Sequence, residues 1–259
     1  MTRTVIIGSG NVAEAFARSL PALGIEVVQI YARNGQRGAH IAALAGCGYT
    51  PHGSEIAAAD LYIAAVSDRA IESVLEPLGL SADAVVVHVS GGRPLSAIPA
   101  KFPHRGVLYP LQTFTAGREV DFREIPLFIE GCDPATTGFL KKFAGGVSRR
   151  VYDADSAQRA RIHLAGVFAC NFVNAMYAAG GDVASSAGMP FDILRPLIAE
   201  TARKAVACDD PRSVQTGPAV RRDEVTLERH LGLLHDDGAA ELQQIYELIS
   251  KYIKDGKKL

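Results

Sequence analysis

The sequence predicts a two-domain α/β protein, with a parallel sheet and its crossover helices over residues 1–152 and a smaller all-helical domain over 153–259. Three observations carry that expectation. Short apolar runs alternate with helical patterns through the first half, as in a parallel sheet whose strands are joined by helices. A glycine-rich turn sits between the first apolar run and the first helical pattern. After about residue 153 the apolar spacing becomes helical and no run reads as a strand.

In chain order, strands are expected at 4–7, 26–31, near Tyr49, and at 61–66, 84–89, 106–109, 126–129 and 148–151, with helices at 12–20 and 36–45. The runs 62–66 and 85–89 are apolar with almost no alternation, as strands covered on both faces require. His88, inside the second run, reads as a core histidine with its hydrogen bonds satisfied. Long helices are expected at 155–179, 191–207 and 239–253. Asp153 or Asp155 caps the first of these, since a short acidic side chain accepts from free amides there. Gly188-Met189-Pro190 and Thr216-Gly217-Pro218 break the chain between helices, and Lys257 and Lys258 read as a frayed tail.

Composition excludes several classes. Lys and Arg total 27 against 28 Asp and Glu, so no basic excess exists to neutralise a nucleic-acid backbone. Cys47, Cys132, Cys170 and Cys208 are far apart and form no CxxC pair, which argues against a zinc site or disulfide framework and fits the cytoplasm. The first residues enter a strand directly, without the pattern of a secretory leader. Residues 162–181 carry no charge and have the length of a membrane span, yet His163, Asn171 and Asn174 interrupt them. A helix buried all round, inside the helical domain or at a homodimer interface, fits that pattern better than a membrane.

The motif with the most chemistry is Gly8-Ser9-Gly10-Asn11-Val12-Ala13, a G-x-G-x-x-A turn between strand and helix. Gly8 permits the tight turn, Gly10 lets the backbone approach a pyrophosphate, and Ala13 allows close packing of helix on strand. The helix start then offers unpaired amides to phosphate. An NAD-binding domain places a carboxylate at the end of the second strand. Here that position carries Arg33 and Asn34, with Arg37 a turn later, so a guanidinium stands ready for the 2′-phosphate of NADP. A solvated loop arginine is the other reading of Arg33 and Arg37. The turns Val66-Ser67-Asp68 and Ser90-Gly91 follow later strands and are candidates for the rest of the cofactor, with Asp68 equally readable as a helix cap.

The opening Val5-Ile6-Ile7-Gly8-Ser9-Gly10-Asn11-Val12-Ala13, followed by Arg33, resembles the 6-phosphogluconate dehydrogenase-like superfamily, which includes pyrroline-5-carboxylate reductase, ketopantoate reductase and hydroxyacid dehydrogenases. Four further segments are similar to one family that joins a Rossmann domain to a helical domain of unknown function. They are His88-Val89-Ser90-Gly91, Tyr109-Pro110-Leu111-Gln112-Thr113-Phe114, the helix from His163 to Asn174, and Thr216-Gly217-Pro218-Ala219-Val220-Arg221-Arg222-Asp223. The resemblance implies a Rossmann sheet, an all-α domain like the C-terminal one of 6-phosphogluconate dehydrogenase, and NADP-dependent reduction of a small carbonyl or imine. The lysine and asparagine that the hydroxyacid dehydrogenases carry one turn apart have no counterpart here, where His163, Val167 and Asn171 occupy the helix.

His163, Val167, Asn171 and Asn174 recur at helical intervals and are expected on one face, opposite a core stripe of Leu164, Phe168, Phe172 and Met176. Two readings stand for the polar face. His163 protonates a substrate while Asn171 and Asn174 position it, or all three form an interhelical network that only fixes packing. Arg221 and Arg222 either clamp a substrate carboxylate or build a salt-bridge cluster between subunits. Tyr109 and Gln112, with Thr113, either close over the substrate or pack the domains together. A non-catalytic NADP(H)-binding sensor is the alternative to the reductase.

Overall fold

The computed structural model describes residues 1–256, so the tail at Lys257 and Lys258 lies outside the described residues. Eight strands form one sheet: β1 (Arg3–Ile7), β2 (Glu26–Tyr31), β3 (Gly48–Thr50), β4 (Leu61–Ala64), β5 (Val85–His88), β6 (His104–Pro110), β7 (Leu127–Gly131) and β8 (Val151–Asp153). Their spatial order is β3-β2-β1-β4-β5-β6-β7-β8, with the reversal of direction next to β1 that a doubly wound sheet has. Every neighbouring pair is parallel except β6 and β7. The expected Rossmann-like sheet is present, mostly parallel with one antiparallel return. The segment between β6 and β7 holds only the short 3₁₀ turn Phe122–Glu124, which gives no helix to carry the chain back for a parallel return.

The helices are α1 (Asn11–Ala22), α2 (Gly35–Ala45), α3 (Ile71–Leu75), α4 (Pro134–Val147), α5 (Ser156–Gly166), α6 (Val173–Ser186), α7 (Arg195–Val206), α8 (Pro218–Arg221), α9 (Glu224–Asp236) and α10 (Ala240–Asp255). Burial explains the unalternating strands. On β1, Ile6 joins a core with Phe16, Leu20, Ile30, Ile63 and Val87, while Val5 and Ile7 join a second core with Tyr62, Ala64 and Val86. Both faces of the central strands are therefore covered. Helix α2 starts where the Asn34 side chain accepts from the Arg37 amide at 3.0 Å, and it stops at Gly46 with φ 65°. Helix α4 begins in the same way, with Asp133 accepting from the Thr136 amide at 2.7 Å and Pro134 in the first turn.

The chain divides into two compact units, residues 1–170 and 171–259. The division comes later than the change of apolar pattern near residue 153, because the first turns of α5 are tied to the sheet. Arg159, fully buried, pairs with Glu130 on β7, donates to the Arg93 carbonyl at 2.6 Å, and lies beside Ser156, whose hydroxyl also bonds Glu130. A capping box of Asp155 and Gln158 opens the helix. Among the described residues of the second unit, only Ala219, Leu227 and Leu234 are buried apolar residues.

The predicted core stripe is corrected as well. Leu164, Phe168 and Phe172 are 54%, 61% and 49% exposed, so one chain does not bury the helix all round. The helical run Ser156–Ser186 is long and apolar enough to cross a membrane by length and composition, and its most apolar window is unburied.

Candidate functional site

The glycine turn is held by the sheet itself. Gly8 has φ 127°, its amide donates to the Tyr31 carbonyl at 2.8 Å, and a Cβ on it would collide with the Ala65 carbonyl. Gly10 is the opposite case: a Cβ there would meet nothing within 4 Å, because the turn faces an open cleft. That cleft has a volume of about 880 Å³, ample for a nucleotide ligand. Gly8, Ser9, Gly10, Asn11 and Val12 form its floor. Arg33 and Asn34 stand at one end, at the close of β2, and Val66 and Ser67 follow β4. Gln112 and Phe114, from the loop after β6, line it too, and Asn11 Nδ2 donates to the Phe114 carbonyl at 3.0 Å.

Four residues expected to bind the cofactor, Arg37, Asp68, Ser90 and Gly91, lie outside that lining. Arg37 does not line the cleft; its guanidinium pairs with Glu14 and donates to the Ser9 carbonyl at 3.3 Å. Ser90 is buried and caps its own turn, accepting from the Gly92 and Arg93 amides at 3.2 and 3.1 Å. Asp68 is exposed and makes no capping bond, and a Cβ on Gly92 would come within 3.6 Å of its Oδ2.

Next to that turn lies a second cluster. Tyr109 Oη and His163 Nδ1 are 3.0 Å apart, and the two rings meet edge-on with centroids at 5.9 Å. Gly91 is the residue that permits this, because a Cβ there would come within 2.7 Å of Tyr109 and 2.8 Å of His163. Tyr109 is 8% exposed; burial pushes its phenol up, the nearby Arg159 lowers it and Asp68 raises it. His163 is exposed. His88 is fully buried beneath, with Nδ1 accepting from the Ser90 amide at 3.1 Å and Nε2 against the Pro94 carbonyl at 3.2 Å. Burial lowers its pKa to about 4 and keeps it neutral, as a satisfied core histidine should be.

Asn171 and Asn174 fall in the second unit and are exposed. The face they were expected to share with His163 presumes 3.6 residues per turn, but Val167–Phe172 is π-helical. That wider turn rotates everything beyond it relative to a regular helix. Arg221 and Arg222 are also exposed and in the second unit. There the Gly-Pro-x-x-Arg-Arg-Asp run has a clear local job. Gly217 turns with φ 112°, Pro218 starts α8, Arg222 ends it at φ 54°, and Asp223 caps α9 through the Thr226 amide. Two residues that sequence reading passed over are Phe114 and Glu14; an acid in the first turn of the phosphate-facing helix was the available signal for the latter.

Residues 3–92 match the family model described as NADP oxidoreductase, coenzyme F420-dependent, and residues 125–253 match a domain of unknown function (DUF2520). A Bacteroides fragilis protein provisionally described as an NADP oxidoreductase is 42% identical over 98% of both chains, with a TM-score of 0.88. The chain belongs to that family. Within the same fold, a Thermotoga maritima protein is 23% identical over 97% of each chain with a TM-score of 0.75. A reductive aminase from Aspergillus terreus, solved with NADPH and ethyl-5-oxohexanoate, is 14% identical over 99% of this chain and 95% of its own, with a TM-score of 0.73. No curated protein sequence matches. Family membership accounts for both halves of the chain, the glycine-turn cleft in the first and the helical domain in the second.

Proposed function

We propose that this protein is an NADPH-dependent reductase of a small imine or carbonyl compound. The observation that carries the proposal is the cleft that runs from the Gly8–Gly10 turn to Arg33, with no carboxylate at the end of β2 to oppose a 2′-phosphate. Gly10, Asn11 and Val12 would hold the pyrophosphate, Arg33 and Asn34 the 2′-phosphate, and Val66 and Ser67 the opposite end. Bound NADPH supplies the hydride. The Aspergillus terreus protein of this fold is named a reductive aminase and binds NADPH and ethyl-5-oxohexanoate.

His163 is the proton donor in this reading. Its Nδ1 is held by Tyr109, which leaves Nε2 to give a proton to the substrate nitrogen or oxygen as hydride reaches the adjacent carbon. The imidazolium ends neutral and the C=N or C=O bond ends as an amine or alcohol, so the proton and hydride balance. Asp68, Ser90 and Gly91 shape the turn beside it. Tyr109 and Gln112 orient the substrate in this reading.

The active form we infer is a cytoplasmic homodimer, without membrane or nucleic-acid partners. The exposed apolar residues of the helical unit, Val173, Val183, Ile193 and Leu197, have the chemistry of a face that a second copy covers. The test of the reaction is loss of NADPH absorbance across a panel of imines, keto acids and aldehydes. Turnover of an imine or carbonyl upholds it; tight NADPH binding with no turnover on any of them makes the protein a binding module instead.

A further inference from the structure

A carboxylate in the first turn of a phosphate-receiving helix is out of place, because anion would face anion at its amide-rich end. Glu14 is such a residue, and it is 2% exposed. Both of its oxygens are engaged. Oε1 accepts from Arg18 Nε at 2.9 Å and from the Gly117 amide at 2.9 Å, and Oε2 pairs with Arg37. Burial alone would push the carboxyl up; the Gly117 amide and the two guanidiniums outweigh it and hold it below the usual range. Glu14 is therefore ionised at neutral pH, and against two arginines it leaves the cluster with a net positive charge.

What it holds is Arg37, which does not itself line the cleft but bonds to two residues that do, Ser9 and Asn34. Arg37 Nε donates to the Ser9 carbonyl in the glycine turn, and its amide is fixed by Asn34, the neighbour of Arg33. Its Nη1 has no hydrogen-bond partner among the described residues. A free arginine at this position would sweep through solvent, and the 30% exposure of its side chain reflects the restraint. Through Gly117 the same carboxylate fastens the loop that supplies Gln112 and Phe114 to the cleft wall.

We propose that Glu14 is a specificity-determining positioning residue: it holds the Arg37 guanidinium beside the 2′-phosphate corner, so that Arg33 and Arg37 act together on NADP(H) and leave NAD(H) unaided. This rests on the NADP reading above. Calorimetric titration with NADPH and with NADH tests it without a substrate, on the wild type, Arg37→Ala, Glu14→Gln and the double variant. Each single change is expected to weaken NADPH roughly tenfold while NADH stays within about twofold, and the double variant should bind NADPH no worse than Arg37→Ala alone. Tighter NADPH binding by Glu14→Gln, equal losses for both dinucleotides, or fully multiplying losses would each overturn the proposal. Should Glu14→Gln fail to fold, Glu14→Asp keeps the charge, retracts it by one methylene, and must show the same selective loss. A wild type that does not prefer NADPH defeats the NADP reading itself, which separates that failure from this one.

Discussion

The sheet unit and the helical unit bury their apolar residues to very different degrees. In the first, both faces of β1, β4 and β5 are sealed by helices, and the cores contain side chains such as Phe16, Ile30 and Tyr62 with almost no exposure. In the second, Leu197, Val206 and Leu248 stand 62%, 88% and 70% exposed, and three of the described residues make up the buried apolar set. The cores around the sheet are closed by the chain's own helices, whereas the second unit leaves apolar surface in water at a cost of about 25 cal/mol per Å². The difference teaches where to look for each function. A site built on the first unit is preorganised by its own core, and the exposed apolar residues of the second are where the proposed second copy would bind.

Substitution of Gly8 should break the first unit most severely. Gly8→Ala is expected to cost roughly 2–5 kcal/mol, from the left-handed backbone and the collision with the Ala65 carbonyl. Gly10→Ala, facing open space, should fold normally and lose NADPH affinity. Thermal melts and calorimetry of the two proteins separate these outcomes; equal stability for both would mean the turn is looser than described. His163→Ala should lower kcat by roughly 10²–10⁴ with NADPH affinity unchanged. An unchanged kcat would move the proton donor elsewhere.

His88 supplies a pH test of the same core. Its folded pKa, about 4, lies below the ordinary histidine value of 6.5, so the unfolded chain binds the extra proton first as pH falls. The associated stability is present above pH 6.5 and is lost between there and pH 4, to a total of roughly 3 kcal/mol. Chemical denaturation of His88→Gln across that window should show a flatter acid limb than the wild type. The smallest effect on folding is expected at the uncovered face of the second unit. Leu197→Glu should leave each chain folded and shift light scattering from dimer to monomer; a wild type that is already a stable monomer at micromolar concentration contradicts the dimer.

Much of the first unit could be read from the chain because its rules are local. The G-x-G-x-x-A turn, Arg33 in place of a carboxylate, and the unalternating runs around Ile63 and Val87 each follow from backbone geometry or two-sided burial. Helix α4 was passed over because Gly138, Gly145 and Gly146 dilute its helical signal, although Asp133-Pro134 announces its start. Helix α9 hides behind the turn at Gly217-Pro218 in the same way, with Asp223 as its cap. The antiparallel return of β7 and the burial of Glu14 depend on contacts distant in sequence, which periodicity does not encode. The stripe at Leu164 and Phe168 is apolar as its spacing implies, but that spacing does not say whether the chain itself covers the face, and the chain leaves both side chains exposed.

Calorimetry with NADPH and NADH on the wild type and on Arg33→Ala tests the central claim most directly. The account predicts that the wild type prefers NADPH, and that Arg33→Ala weakens NADPH by roughly ten- to a hundredfold while NADH is unchanged. Equal affinity for the two dinucleotides in the wild type, or no effect of removing the guanidinium, would contradict it.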